Sequence, residues 1–137
     1  MKQYFMKKTF YFSLFIALIS MFSSCKKDDT PVLGAVVKVT VKNYLGVDQT
    51  GTTVYMYKDQ EVNSSTKPSD AKKQIITDGN GVATFELNFT ELSIIESQTT
   101  LYFGVFYGSG DDAKVAGSTG ITIKRNETKN LEITIPL

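Results

Sequence analysis

The chain has 137 residues, 42% of them hydrophobic and 21% charged, with a formal net charge of +1. That is room for one domain. With no histidine and a single cysteine, a histidine-dependent triad, an internal disulfide and a thiolate metal cluster are all excluded.

In chain order, residues 1–9 (MKQYFMKKT) carry three lysines and no acid, and residues 10–22 (FYFSLFIALISMF) carry no charge. A membrane-spanning helix needs ~20 apolar residues, so this shorter run suits the apolar core of a signal peptide. Ser23 and Ser24 then lead into Cys25, the only cysteine. Removal of residues 1–24 takes Lys2, Lys7 and Lys8 with it. It leaves 12 basic residues against 14 acidic ones, a net of −2. No basic patch is implied, and nucleic acid is not an expected partner.

The order of basic start, short apolar core, small residues and cysteine resembles a bacterial lipoprotein signal. Phe22 stands where that family usually has leucine, and the Phe-Ser-Ser-Cys form resembles lipoproteins of the Bacteroidetes. The resemblance implies cleavage before Cys25, a diacylglycerol thioether on its sulfur, and an acyl chain such as palmitate on the new N-terminus. Several acyl chains, at ~0.8 kcal/mol per buried CH₂, hold a protein far more firmly than one. Lys26, Lys27, Asp28 and Asp29 follow at once. They read as a solvated tether, and they also resemble the surface-export signals of Bacteroidetes lipoproteins. The expected organisation is a signal peptide over 1–24, a lipidated tether over 25–33 and a folded domain over 34–137. The expected location is the outer membrane, lipid-anchored and facing the cell surface.

From residue 35 the pattern changes to period two. Val37, Val39 and Val41 alternate with Lys38, Thr40 and Lys42, as in a half-buried strand. A loop follows over 43–51. In TTVYMYK (52–58), Val54 and Met56 are expected inward and Tyr55 and Tyr57 outward. Residues 59–71 read as a polar surface loop. The stretch 72–89 reads as a hairpin about Asp78-Gly79-Asn80-Gly81, with Ala83, Phe85 and Leu87 facing inward. Residues 88–98 read as a crossing loop with at most one helical turn, Leu92 and Ile95 sharing a face. TTLYFGVFY (99–107) is apolar on both faces and reads as a central strand. After a turn at 108–112, KVAGS and GITIK read as two short strands. NLEITIPL closes the chain, with Pro136 where a final or edge strand tolerates it.

Seven or eight short strands with no long helix predict an all-β fold, a single antiparallel β-sandwich of prealbumin-like or immunoglobulin-like type. Residues 35–137 resemble the prealbumin-like sandwiches of carboxypeptidase regulatory-like domains. The resemblance lies in VKVTVKN with the VYMY strand, and in TDGNGVATF. It implies a fold and leaves activity open.

Candidate chemistry is sparse. Asp111-Asp112 lies in a glycine-serine turn, where solvated charge is expected. Asp78-Gly79-Asn80-Gly81 begins like a calcium loop but lacks the later acidic ligands, and turn chemistry accounts for it. No cofactor, no metal and no enzyme activity is expected. Tyr55, Tyr57, Tyr102 and Phe106 fall on the strand face away from the expected core. Flat rings there could stack on sugars, or pair across strands, or lie beneath the 88–98 segment. The expected role is non-catalytic: a lipid-anchored envelope protein presenting its sandwich to an extracellular glycan or protein. The alternative is a structural subunit that pairs through an edge strand with an envelope or fimbrial partner.

Overall fold

The computed structural model describes residues 34–136. The signal-peptide stretch, Cys25 and the Lys26, Lys27, Asp28, Asp29 run lie outside the described residues. Seven strands form: β1 Gly34–Asn43, β2 Thr53–Lys58, β3 Lys73–Ile76, β4 Val82–Asn88, β5 Gln98–Tyr107, β6 Lys114–Lys124 and β7 Thr128–Ile135. They build two sheets, ordered β4-β1-β7 and β3-β2-β5-β6. The fold is a β-sandwich. Pairing is antiparallel throughout except between β1 and β7, which run parallel.

Alternation places the core. From β1 come Val37, Val39 and Val41, from β4 Ala83, Phe85 and Leu87, and from β7 Ile133 and Ile135, all facing Val54, Met56, Leu101 and Phe103 of the other sheet. Phe85 and Phe103 meet edge to face, 5.0 Å between ring centres. Every residue of this core cluster lies between Ala35 and Ile135. A chain begun at Lys26 therefore keeps the whole core.

The 72–89 stretch departs from the expected hairpin. The turn forms as its residues dictate: Gly81 N–H donates to the Asp78 carbonyl, and Gly81 has φ +73°. Asp78 Oδ1 accepts from the backbone N–H of Asn80 and Val82. Yet β3 pairs with β2 and β4 pairs with β1, so the turn is an arch between sheets. Thr77, buried just before the turn, fastens this arrangement. Its hydroxyl donates to the Gln49 carbonyl at 2.6 Å and accepts from Thr52 N–H at 2.9 Å, which holds β3 to the β1–β2 connection.

The two expected short strands at 114–124 are one strand, β6. Its glycines do not break it; they permit close approach. A Cβ on Gly117 would lie 2.6 Å from the Thr134 carbonyl oxygen of β7, and one on Gly120 would lie 2.9 Å from the Tyr102 ring. Residues 88–97 form turns, not a helix. Ile94 is buried while Ile95 is exposed, so Leu92 and Ile95 do not share an inward face.

Two lysines reach across the open corners of the sandwich. Lys73 of β3 donates to the Glu86 carbonyl of β4, and Lys129 of β7 donates to the Thr122 carbonyl of β6, each at 2.8 Å. A charged donor on an edge carbonyl blunts that edge as a template for another strand.

Candidate functional site

The sandwich has two ends. Gly34, the 88–97 turns and the 125–127 turn mark one. Ten residues of β1 at ~3.3 Å each carry the chain about 30 Å to the other end. There the 44–52 connection, the 77–81 arch, the 108–113 turn and Pro136 gather. The same end carries Tyr44, Leu45, Val47, Ile76 and Tyr107, each more than half exposed. The Tyr44–Val47 turn is held rigidly: Asn43 Oδ1 accepts from Leu45 and Val47 N–H, both at 3.0 Å.

The four sequence-singled aromatics do share one outer face, that of the β2–β5 pair. Tyr57 lies directly opposite Tyr102, and Tyr55 opposite Gly104. Tyr55 and Phe106 meet edge to face at 5.4 Å, and Tyr57 lies 6.4 Å from Phe106. Their surroundings differ. Tyr57 is only 1% exposed, because the 59–72 segment crosses over it. Its hydroxyl donates to the Lys67 carbonyl at 2.9 Å. Val62 lies over Gly104, where a Cβ would meet a Val62 methyl at 3.0 Å. Tyr57 is thus a packing residue, and its ring is closed to any ligand. Tyr102 is half-buried, with its ring against Gly120 of β6. Tyr55 and Phe106 remain half-buried and lining open space.

The segment that covers this face is 59–72, not 88–98. The sequence offered one large apolar residue there, Val62, and that one residue is the buried anchor. Its polar neighbours satisfy one another: Thr66 Oγ1 accepts from Asn63 N–H and donates to the Glu61 carbonyl. Lys67 pairs with Asp111 at 3.1 Å, joining the cover to the 108–113 turn. This ion pair gives Asp111 a surface structural role.

Two adjoining clefts open at the loop-rich end. One, of about 410 Å³, is polar and lined by Gly51, Thr52, Thr53, Tyr55, Pro68, Phe106 and the Gly108–Gly110 turn. The other, of about 450 Å³, is apolar, with Val105, Tyr107, Ala116, Ile135 and Pro136 in its walls. Thr52 and Phe106 belong to both. A β-bulge shapes this corner. Val105 faces Gly117 but Phe106 faces Val115, so Ala116 is the extra residue. Bulges bend a strand and re-aim its side chains.

Neither wall contains an Asp, Glu, Lys or Arg. Gly51, Gly108 and Gly110 all have positive φ, and added Cβ atoms on Gly51 and Gly110 would meet nothing within 4 Å. The polar cleft therefore exposes bare backbone beside the hydroxyls of Thr52, Thr53 and Ser109. Among the described residues, three ionisable groups have displaced pKa values with structural causes. The hydrogen bond from Lys42 to Glu132 raises the lysine, burial raises the Tyr57 phenol, and the Lys124 N–H lowers the Glu127 carboxylate. None of them lines either cleft. Among the described residues, no group of three or more His, Cys, Asp or Glu side chains is placed to hold a metal ion. Among the same residues, no helix is long and apolar enough to cross a membrane.

No family model and no curated protein matches the chain. Among solved structures it is similar to a candidate carbohydrate binding protein from Pseudomonas aeruginosa, with a TM-score of 0.45 and 13% identity, over 77% of this chain and 90% of that one. It is also similar to the C-terminal domain of the Caf1A usher, whose surface hydrophobic clusters are important for F1 antigen assembly. There the TM-score is 0.35 and the identity 7%, over 74% of this chain and 99% of that one.

Proposed function

We propose that this chain is a non-catalytic, lipid-anchored protein of the cell envelope that binds an uncharged extracellular glycan at the loop-rich end of its sandwich. One observation carries the binding part: the polar cleft beside Tyr55 and Phe106 combines aromatic rings, hydroxyls and bare backbone without a single charge. Ring faces suit the C–H faces of sugars, and hydroxyls and amides suit their OH groups. The anchor rests on the sequence of residues 1–25, and the outward orientation on Lys26 to Asp29. The prealbumin-like resemblance belongs to the same reading. Gly34, where the tether joins, lies at the end opposite the clefts, which would hold the site outward.

Edge-strand assembly is the weaker alternative. Lys73 and Lys129 each occupy an edge carbonyl, on β4 and β6 respectively.

Two experiments test the proposal. Calorimetric titration of the chain from Lys26 with a panel of neutral glycans is expected to find a binder whose heat is lost in Tyr55→Ala and Phe106→Ala but kept in Tyr102→Ala. Unchanged binding in both cleft variants would reject the site. Proteinase K treatment of intact cells is expected to remove the protein while sparing a periplasmic control. Protection until lysis would reject surface display.

A further inference from the structure

Resting on that reading of the polar cleft, we infer that the ligand is an amphiphilic glycoside: a neutral sugar carrying an alkyl or acyl chain. The sugar occupies the polar cleft, and the chain occupies the adjoining apolar one.

The two clefts are separate in character but share Thr52 and Phe106 as a common wall. A sugar beside Tyr55 and Phe106 adjoins the apolar cleft at the shared Phe106 edge. Beyond that edge lie Val105, Tyr107, Ala116, Ile135 and Pro136, a surface that offers a sugar almost no hydrogen bond. The apolar cleft is also not filled by the fold. The bulge leaves Ala116 unpaired, and this small side chain forms part of the cleft's wall. An uncharged wall on both sides disfavours phosphate, sulfate and uronate groups, which would lose hydration without a cation to replace it.

The energetics favour a chain. Each buried CH₂ contributes ~0.8 kcal/mol, roughly fourfold in affinity, so two buried methylenes already exceed tenfold. A lone monosaccharide at an open cleft has no comparable source of affinity.

The test uses the chain from Lys26 and matched pairs of methyl and octyl glycosides of glucose, galactose and mannose, below their micelle concentrations. Octyl tetraethylene glycol serves as the sugar-free control. At least one octyl glycoside is expected to bind ten or more times tighter than its methyl partner and than the control. Ala116→Phe, which fills the apolar cleft, is expected to erase that preference while methyl-glycoside binding persists. Tyr107→Ser, at an exposed position, should weaken the preference with an unchanged melting temperature, which separates the effect from misfolding. Equal methyl and octyl affinities would overturn this inference and leave the sugar site standing. An octyl preference indifferent to both variants, or a control that binds as tightly, would also overturn it. No binding of any glycoside would overturn the sugar site itself.

Discussion

The Tyr57 hydroxyl donates to the Lys67 carbonyl oxygen at 2.9 Å, fastening the 59–72 segment onto the outer face of the sheet. With Val62 packed beside it, that segment buries Tyr57 while Tyr55 and Phe106 stay half-open. Tyr57→Phe should keep the ring packing and lose about 1 kcal/mol of stability. Denaturant titration measures the loss, and limited proteolysis should show faster cutting within 59–72.

The same residue sets an alkaline limit. Burial raises the Tyr57 phenol above its ordinary value of 10.0, so the folded state holds this proton more tightly than the unfolded chain. Its contribution is fully present below pH 10 and is lost as pH rises beyond it. Urea midpoints measured from pH 8 to 11 should fall above pH 10 in the parent chain. They should fall less in Tyr57→Phe.

Thr77 ties the arch to the cleft wall. Thr77→Val removes its bond to the Gln49 carbonyl and its acceptor for Thr52 N–H. The expected cost is ~1–3 kcal/mol. Because Thr52 borders both clefts, hydrogen exchange should quicken at Gly51 and Thr52 before it does at β1.

Gly117 lets β6 close on β7. A Cβ there would sit 2.6 Å from a backbone oxygen, which has no side-chain freedom to yield. Gly117→Val should cost ~1–3 kcal/mol or more. Gly79→Ala, where a Cβ meets nothing within 4 Å, is the matched control and should melt within a degree or two of the parent.

Lys73 and Lys129 guard the sheet edges. Replacing both with glutamine should barely change monomer stability, since each is an exposed contact. It should increase self-association, read as light scattering during storage at high concentration.

Period-two alternation made the inward faces of β1, β4 and β7 legible from sequence, because each has one dry side and one wet side. The arch was not legible. Asp78 to Gly81 specify a tight turn, but which sheet each flanking strand joins is set by long-range pairing, β3 with β2 and β4 with β1, and Thr77 secures it by reaching Gln49, 28 residues away. The long β6 was hidden by Gly117 and Gly120, which read as breaks and act as spaces for Thr134 and Tyr102. Tyr55, Tyr57, Tyr102 and Phe106 were found by alternation, yet alternation cannot say what covers a face. Val62, alone in a polar stretch, was the one available signal. The clefts draw on Thr52, Ala116 and Pro136, ordinary residues in sequence, brought together only by the bulge and by the ends of three strands.

Chemical-shift mapping decides whether the polar cleft takes a sugar. The isotope-labelled chain from Lys26 would be titrated with the neutral methyl glycosides at millimolar concentration. Perturbations are expected to cluster at Thr52, Tyr55, Phe106 and the Gly108–Gly110 turn and to disappear in Phe106→Ala. Perturbations confined to the Gly34 end or to the 88–97 turns, or none with any glycoside, would contradict it.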